Sequence, residues 1–401
     1  MRRAAWLVLA GLAAAPALAD EGFTAITRGR YLAEAADCMP CHTVPGGKPW
    51  AGGRAVETPF GNLVSPNLTP DRETGIGAWT DHDFVDALQK GVGRGGVHLY
   101  PAMPYTYYTK MTREDALAIR AYLNTLEPVG NKVVSNQLPF PFDVRANMLA
   151  WNQLNFKEGE YHPDTGKSAE WNRGAYLVEA LGHCGGCHTA KNALGGDENS
   201  RALQGNNLQG WFAPNITNDD RTGLGKWSAD EIVQYLSTGH NSWAAASGPM
   251  AEVVQYSTSR MTGDDLRAIA VYLKDQQGQN TNATPLVANA AGEAVYKDSC
   301  SACHFGNGEG QERMFPKLAG GPFVQSVDAT SLIRVVLEGM RSVGTDGQPT
   351  APAMPAFGWK LNDDQVAAVA TYIRNSWGNA ASSVSASDVA KMRKQLAERS
   401  D

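Results

Sequence analysis

The 401 residues carry 35 basic and 41 acidic side chains, and setting aside Arg2 and Arg3 of the leader leaves 33 against 41, a net charge of about −8. With no Lys/Arg run beyond residue 3, the chain is not built to hold nucleic acid. The about 380 residues past the leader are too many for one small core and suit two to four domains, and no apolar run among them approaches the roughly 18 residues of a membrane span.

Met1-Arg-Arg is followed by an apolar run from Ala4 to Ala15 and then by Ala17-Leu18-Ala19. A basic start, a short apolar stretch and an Ala-x-Ala end make residues 1–19 a signal peptide cleaved near Ala19, which predicts export to the periplasm.

Cys38-Met-Pro-Cys41-His42 returns as Cys184-Gly-Gly-Cys187-His188 and as Cys300-Ser-Ala-Cys303-His304. Two thiols three positions apart can each form a thioether to a haem while the adjacent imidazole reaches its iron, so each pentapeptide reads as a c-type haem attachment site. One alone could be half of a zinc site. Three of them use all six cysteines, which predicts three covalently bound haem c groups and no disulfide.

A repeat surrounds these motifs. Arg28-Gly-Arg-Tyr-Leu-Ala-Glu-Ala precedes Cys38, Arg173-Gly-Ala-Tyr-Leu-Val-Glu-Ala precedes Cys184, and Ala291-Gly-Glu-Ala-Val-Tyr precedes Cys300. Each unit closes with a second helical pattern that begins at Thr112-Arg-Glu-Asp115, Thr262-Gly-Asp-Asp265 or Asn362-Asp-Asp-Gln365. An N-cap side chain with an acid or amide three residues on resembles a capping box, which satisfies orphan N–H groups at a helix start. The prediction is an all-α chain of three small domains in tandem, 22–128, 168–278 and 286–378. Residues 129–167 connect the first two, with Pro139-Phe-Pro-Phe142 and Trp151 expected to be packed, and 379–401 form a tail.

A thioether opposite the histidine closes the iron and suits electron transfer, whereas an open iron suits binding or turnover of a small molecule. Pro101-Ala-Met-Pro104 offers Met103, Pro352-Ala-Met-Pro355 offers Met354, and Gly248-Pro-Met250 occupies the matching place in the second unit. The separations from His42, His188 and His304 to Met103, Met250 and Met354 are 61, 62 and 50 residues. Met111 and Met261 are matched by Leu361 in the third unit, so that position reads as core, and Met340 falls in a helical pattern. His98 and His240 are the alternative ligands.

One loop occurs in the first two units only, Ser65-Pro-Asn-Leu-Thr…Trp79 and Ala213-Pro-Asn-Ile-Thr…Trp227. Its amide and indole donors, Asn67, Trp79, Asn215 and Trp227, are candidates for bonds to haem propionates, whose burial would otherwise be costly. The third unit has Phe315-Pro-Lys-Leu-Ala-Gly-Gly321 instead.

Together, the three haem motifs behind a leader, the doubled Asn-Leu/Ile-Thr…Trp loop and Leu99-Tyr-Pro-Ala-Met-Pro-Tyr105 resemble the tri-haem cytochrome c subunit of bacterial membrane-associated alcohol and gluconate dehydrogenases. The resemblance implies three tandem cytochrome c domains of class I type, with the ligand pairs His42–Met103, His188–Met250 and His304–Met354. It also implies an electron-transfer subunit, not an enzyme by itself. Such a subunit is fed by a flavin- or pyrroloquinoline-quinone-dependent dehydrogenase and discharges to ubiquinone or a terminal oxidase or cytochrome. A molybdenum hydroxylase acting on aldehydes or N-heterocycles is the alternative donor, and a haem enzyme with one open iron is a third reading. In the tail, Val389, Met392 and Leu396 share one helical face, which predicts a solvated or interfacial amphipathic helix and, at most, peripheral membrane contact.

Overall fold

Helices Ala17–Ala35 and Arg113–Leu123 pack so closely that a methyl group on Gly29 would stand 1.8 Å from the carbonyl oxygen of Ala118. The same crossing recurs at Gly174, where helix Ala169–Tyr176 meets Ala268 of helix Gly263–Lys274, and at Gly292, where Ala290–Ser299 meets Ala368 of Asp363–Arg374. Glycine stands at the crossing of all three units because only a residue without a Cβ lets the two backbones touch. The computed structural model describes residues 17–134, 136–279, 282–287 and 289–399, so the leader expected over residues 1–19 lies outside them as far as residue 16.

The closing helices are capped as their sequences predict, with one difference. Thr112, Thr262 and Asn362 each accept the backbone N–H three residues on, from Asp115, Asp265 and Gln365. Only Gln365 returns a bond to its cap. Asp115 and Asp265 turn away, Asp115 to Arg28 and Tyr176, Asp265 to Arg173 and Tyr31. Half of each box is therefore given over to tertiary contacts. The helix running into the second haem motif ends in one π-helical turn, Leu177–Leu181, immediately before Cys184.

Strands are short two-residue to four-residue hairpins. Ala55–Thr58 pairs with Gly61–Val64, Val92–Gly93 with Val97–His98, Asn206–Leu208 with Trp211–Ala213, and Met340–Arg341 with Ala353–Met354. Met340, read from the sequence as helical, lies past the end of helix Thr330–Glu338, directly opposite Met354. Gly339, at φ 73°, makes the break.

Leu32, Ile119 and Leu123 of the first unit and Leu177, Leu266 and Ile269 of the second belong to one continuous core, whereas the third unit has its own around Val366, Ala370, Tyr296 and Ile373. The connecting segment contains helix Asn147–Asn155. Trp151 is buried there and donates to the carbonyl of Leu194, while Phe156 stands edge-on to Tyr105. The expectation of packed aromatics fails at Phe140, which is 82% exposed.

The tail also departs from expectation. Ala386–Glu398 is a helix with a full Ser385–Asp388 capping box, but its apolar face is turned onto the third unit, with Val389 and Met392 fully buried beside Leu332, Val336 and Leu361. Arg393 binds Asp363 at 3.0 Å, and Arg399 reaches Gln209 of the second unit and Glu57 of the first. Three apolar side chains on one face were matched to a protein surface, not to water or lipid. No helix among the described residues is long and apolar enough to cross a membrane.

Candidate haem sites

Each haem motif folds as a single helical turn, over Cys38–Cys41, Gly185–His188 and Ser301–His304. Residues three and four apart share a helical face, so the first cysteine of each motif shares a face with the second cysteine and with the histidine. Burial pushes the Cys38 and Cys184 thiols up to about 12 and that of Cys300 up to about 11. All six cysteines are free thiols, and no cluster of three metal-binding side chains exists among the described residues.

The three imidazoles are held alike. His42 Nδ1 lies 2.8 Å from the carbonyl oxygen of Pro66, His188 Nδ1 2.6 Å from that of Pro214, and His304 Nδ1 3.0 Å from that of Pro316. A carbonyl only accepts, so Nδ1 carries the proton and Nε2 presents a lone pair. Burial keeps all three below the ordinary 6.5 against the pull of the proline carbonyl. These are neutral imidazoles with one nitrogen oriented and the other available, the arrangement that metal-bound histidines require. The prolines are functional residues that the sequence reading passed over. Their signal was present, since Ser65-Pro-Asn, Ala213-Pro-Asn and Phe315-Pro-Lys each place a proline downstream of the haem histidine.

The loop carrying Pro66 closes on itself. Asn67 Nδ2 donates to Thr74 and to the carbonyl of Val129, while Asn67 Oδ1 accepts from the N–H and hydroxyl of Thr69. Asn215 repeats the pattern with Thr222 and Thr217. The amide hydrogens of Asn67 go to Thr74 in the loop and to the Val129 carbonyl of the connecting segment, and Asn215 donates to Thr222. The tryptophans differ from them. Trp79 lines the space around the first motif, and Trp227 is buried with its indole N–H free of any partner among the described residues.

A cavity of about 2600 Å³ surrounds the first motif, bringing together Cys38, Cys41, His42, Met103, Trp79 and Tyr108. A small-molecule pocket is typically about 300–1,000 Å³, and this one runs on to Gly186 and Cys187 of the second motif. Met250 sits in the first turn of helix Pro249–Tyr256 against the cluster of Ala246, Val254 and Val343, and Met354 packs on the core of the third unit. Met111 is fully buried in the shared core, as is Leu361 in its own. His98 lies in a hairpin with Nδ1 buried and unpartnered among the described residues, while His240 is bonded to Val343 and Ser342. The residues fit a haem c at each turn by their chemistry: paired cysteines and a neutral oriented imidazole at all three, with Met103 lining the space around the first and an orphaned indole donor in the second unit.

Comparison with known proteins agrees. The cytochrome c family model matches residues 26–127 and 289–377. The gluconate 2-dehydrogenase cytochrome c subunit of Pantoea cypripedii is 41% identical over 97% of this chain and 94% of its own length. The alcohol dehydrogenase (quinone) cytochrome c subunit of Gluconobacter oxydans is 39% identical over 94% of this chain and 83% of its own. A nicotinate dehydrogenase subunit from Pseudomonas putida is 42% identical over 87% of this chain, which spans 30% of that protein. The chain belongs to the cytochrome c family, among the electron-transferring cytochrome c subunits that carry covalently bound haem c.

Proposed function

We propose that the chain is a tri-haem relay that accepts electrons from an alcohol, sugar or sugar-acid dehydrogenase using flavin or pyrroloquinoline quinone, and passes them to ubiquinone or a terminal cytochrome. The observation that carries this reading is the recurrence, three times, of a buried neutral imidazole held through Nδ1 by a proline carbonyl beside a pair of free thiols. Bound haem c supplies one-electron redox chemistry at each of these places. The chain's own part is attachment by Cys38 and Cys41, Cys184 and Cys187, and Cys300 and Cys303, and ligation by His42 with Met103, His188 with Met250 and His304 with Met354. Trp79 and Trp227 are assigned the propionate edge.

The domains are taken as 22–128, 168–278 and 286–378, with 129–167 as a brace and the tail as a strap. The shared core of the first two units, and the single cavity that both Cys41 and Cys187 line, support fast exchange between their sites. After cleavage near Ala19 the protein works on the periplasmic face of the membrane and is held there by its partner, because the tail's apolar face is occupied.

A pyridine haemochrome assay is expected to give three haems per chain, and two or fewer would defeat the count. Carbon monoxide is expected not to bind the reduced protein, and to bind one iron in each of Met103→Ala, Met250→Ala and Met354→Ala. The similarity to the nicotinate dehydrogenase subunit favours a second donor, a hydroxylase of N-heterocycles. Reduction of the haems in native membranes by gluconate or ethanol supports the first donor class, and reduction by nicotinate supports the second.

A further inference from the structure

The second and third units meet along strand Trp211–Ala213 and helix Thr330–Glu338, and again at one short segment, Gly239 to Trp243, which leads into the helix carrying Met250. Its shape is fixed from within the second unit. Ala246 N–H donates to the Gly239 carbonyl at 2.7 Å, and Asn241 both donates to the Glu231 carbonyl and accepts from the N–H of Trp243. Two arms leave it for the third unit. On one, the Ser242 carbonyl accepts the N–H of Lys317 at 3.0 Å, and the Lys317 ammonium lies over the Trp243 ring, 5.3 Å from its centroid. Lys317 directly follows Pro316, whose carbonyl takes the Nδ1 proton of His304.

On the other arm, His240 Nε2 meets the Val343 carbonyl at 3.1 Å and the Ser342 hydroxyl at 3.0 Å. Ser342 N–H donates to the Pro352 carbonyl at 2.9 Å, at the start of the strand Ala353–Met354. One five-residue segment thus holds the backbone behind His304 and the backbone beside Met354. His240 is 2% exposed. Its Nε2 carries the proton, because Val343 offers only an acceptor. Burial holds the imidazole below the ordinary 6.5, with the Val343 carbonyl opposing, so it is neutral.

We propose that His240 is a positioning residue that couples the second haem site to the third, setting the place of the Met354 strand and giving a path of covalent and hydrogen bonds from the Met250 side. The proposal rests on the reading of Met250 and Met354 as iron ligands. In the step it serves, one electron lost at the second site is gained at the third. The imidazole neither changes oxidation state nor gives up its proton.

The test is His240→Phe in the full-length holoprotein, which keeps a ring and removes both hydrogen bonds. Three haems per chain by haemochrome assay, a shifted potential for one haem of the three in a redox titration, and roughly tenfold slower internal electron equilibration after flash reduction are expected. His240→Gln, which restores an N–H donor, is expected to recover most of the rate. Three unchanged potentials together with an unchanged rate would overturn the proposal. Should His240→Phe lose its third haem, Ser342→Ala decides by the same readouts, with a shift in the same direction supporting the coupling and no change overturning it. Carbon monoxide binding at the second or third iron of the reduced wild-type protein would instead remove the ligand reading, independently of these variants.

Discussion

Tyr176 gives its hydroxyl hydrogen to Asp115 at 2.6 Å, across the boundary between the second unit and the first. The mirror bond runs the other way, from Tyr31 to Asp265 at 2.5 Å. Each tyrosine oxygen also accepts the N–H of the facing cap residue, Thr112 or Thr262, at 3.2 Å. Lys110 pairs with Glu179, and Arg260 with Glu34, at equivalent positions of the repeat. The duplicated units therefore meet as the two halves of an isologous dimer would, the same patch used twice, and this is what joins their cores.

Removing one of these hydroxyls tests the interface. Tyr176→Phe leaves the buried Asp115 carboxylate with Arg28 as its remaining side-chain partner, and a buried acceptor deprived of a bond costs about 1–3 kcal/mol. Denaturant unfolding is expected to show a loss of that size for Tyr176→Phe and a similar one for Tyr31→Phe. No change in either would mean that the reciprocal bonds do not hold the units together.

The same network sets an acid limit. Burial pushes the Asp265 carboxyl up, but the bonds from Arg173 and Tyr31 outweigh it and hold the group below the ordinary 3.8. A carboxyl depressed by folding stabilises the protein above its unfolded value, and that stability is lost as the pH falls through the folded one. Unfolding free energy should decline as the pH drops below about 4, and Asp265→Asn should show a shallower decline alongside a lower stability at neutral pH.

The helix crossings predict opposite results for two glycines on neighbouring elements. Gly174→Ala puts a methyl 1.9 Å from the Ala268 carbonyl oxygen, and forcing the helices apart should cost about 3 kcal/mol or more. Gly263→Ala meets nothing within 4 Å in the first turn of its helix and should be neutral or stabilising by up to about 1 kcal/mol. Thermal unfolding of the two variants checks both.

Deleting the chain from Ala386 onward strips Val389 and Met392 from the core of the third unit and releases Arg399 from Gln209 and Glu57. Two buried side chains of this size are worth roughly 3–6 kcal/mol. The shortened protein should lose the spectrum of one haem at a lower temperature than the others, while its binding to lipid vesicles stays the same. A drop in vesicle binding would return the tail to the membrane.

The amino-acid sequence by itself determined what is local: the three haem turns, each written in five consecutive residues, the helices that open and close each unit, and the caps at Thr112, Thr262 and Asn362. Periodicity and capping act over a few residues, so they can be read without knowing the fold. Tertiary structure decided everything that joins distant positions. Asp115 and Asp265 have the sequence of capping acids, yet partners 61 and 234 residues away take their carboxylates. Val389 and Met392 have the pattern of an interfacial stripe, yet the third unit covers them. Asn67 has the donors of a ligand contact, yet Thr74 of its loop and Val129 of the connecting segment take them, and it is the plain carbonyl of Pro66 that orients His42. A backbone carbonyl has no sequence signature, and a side chain's choice among several satisfactory partners is made only by which of them the fold brings within 3 Å or so.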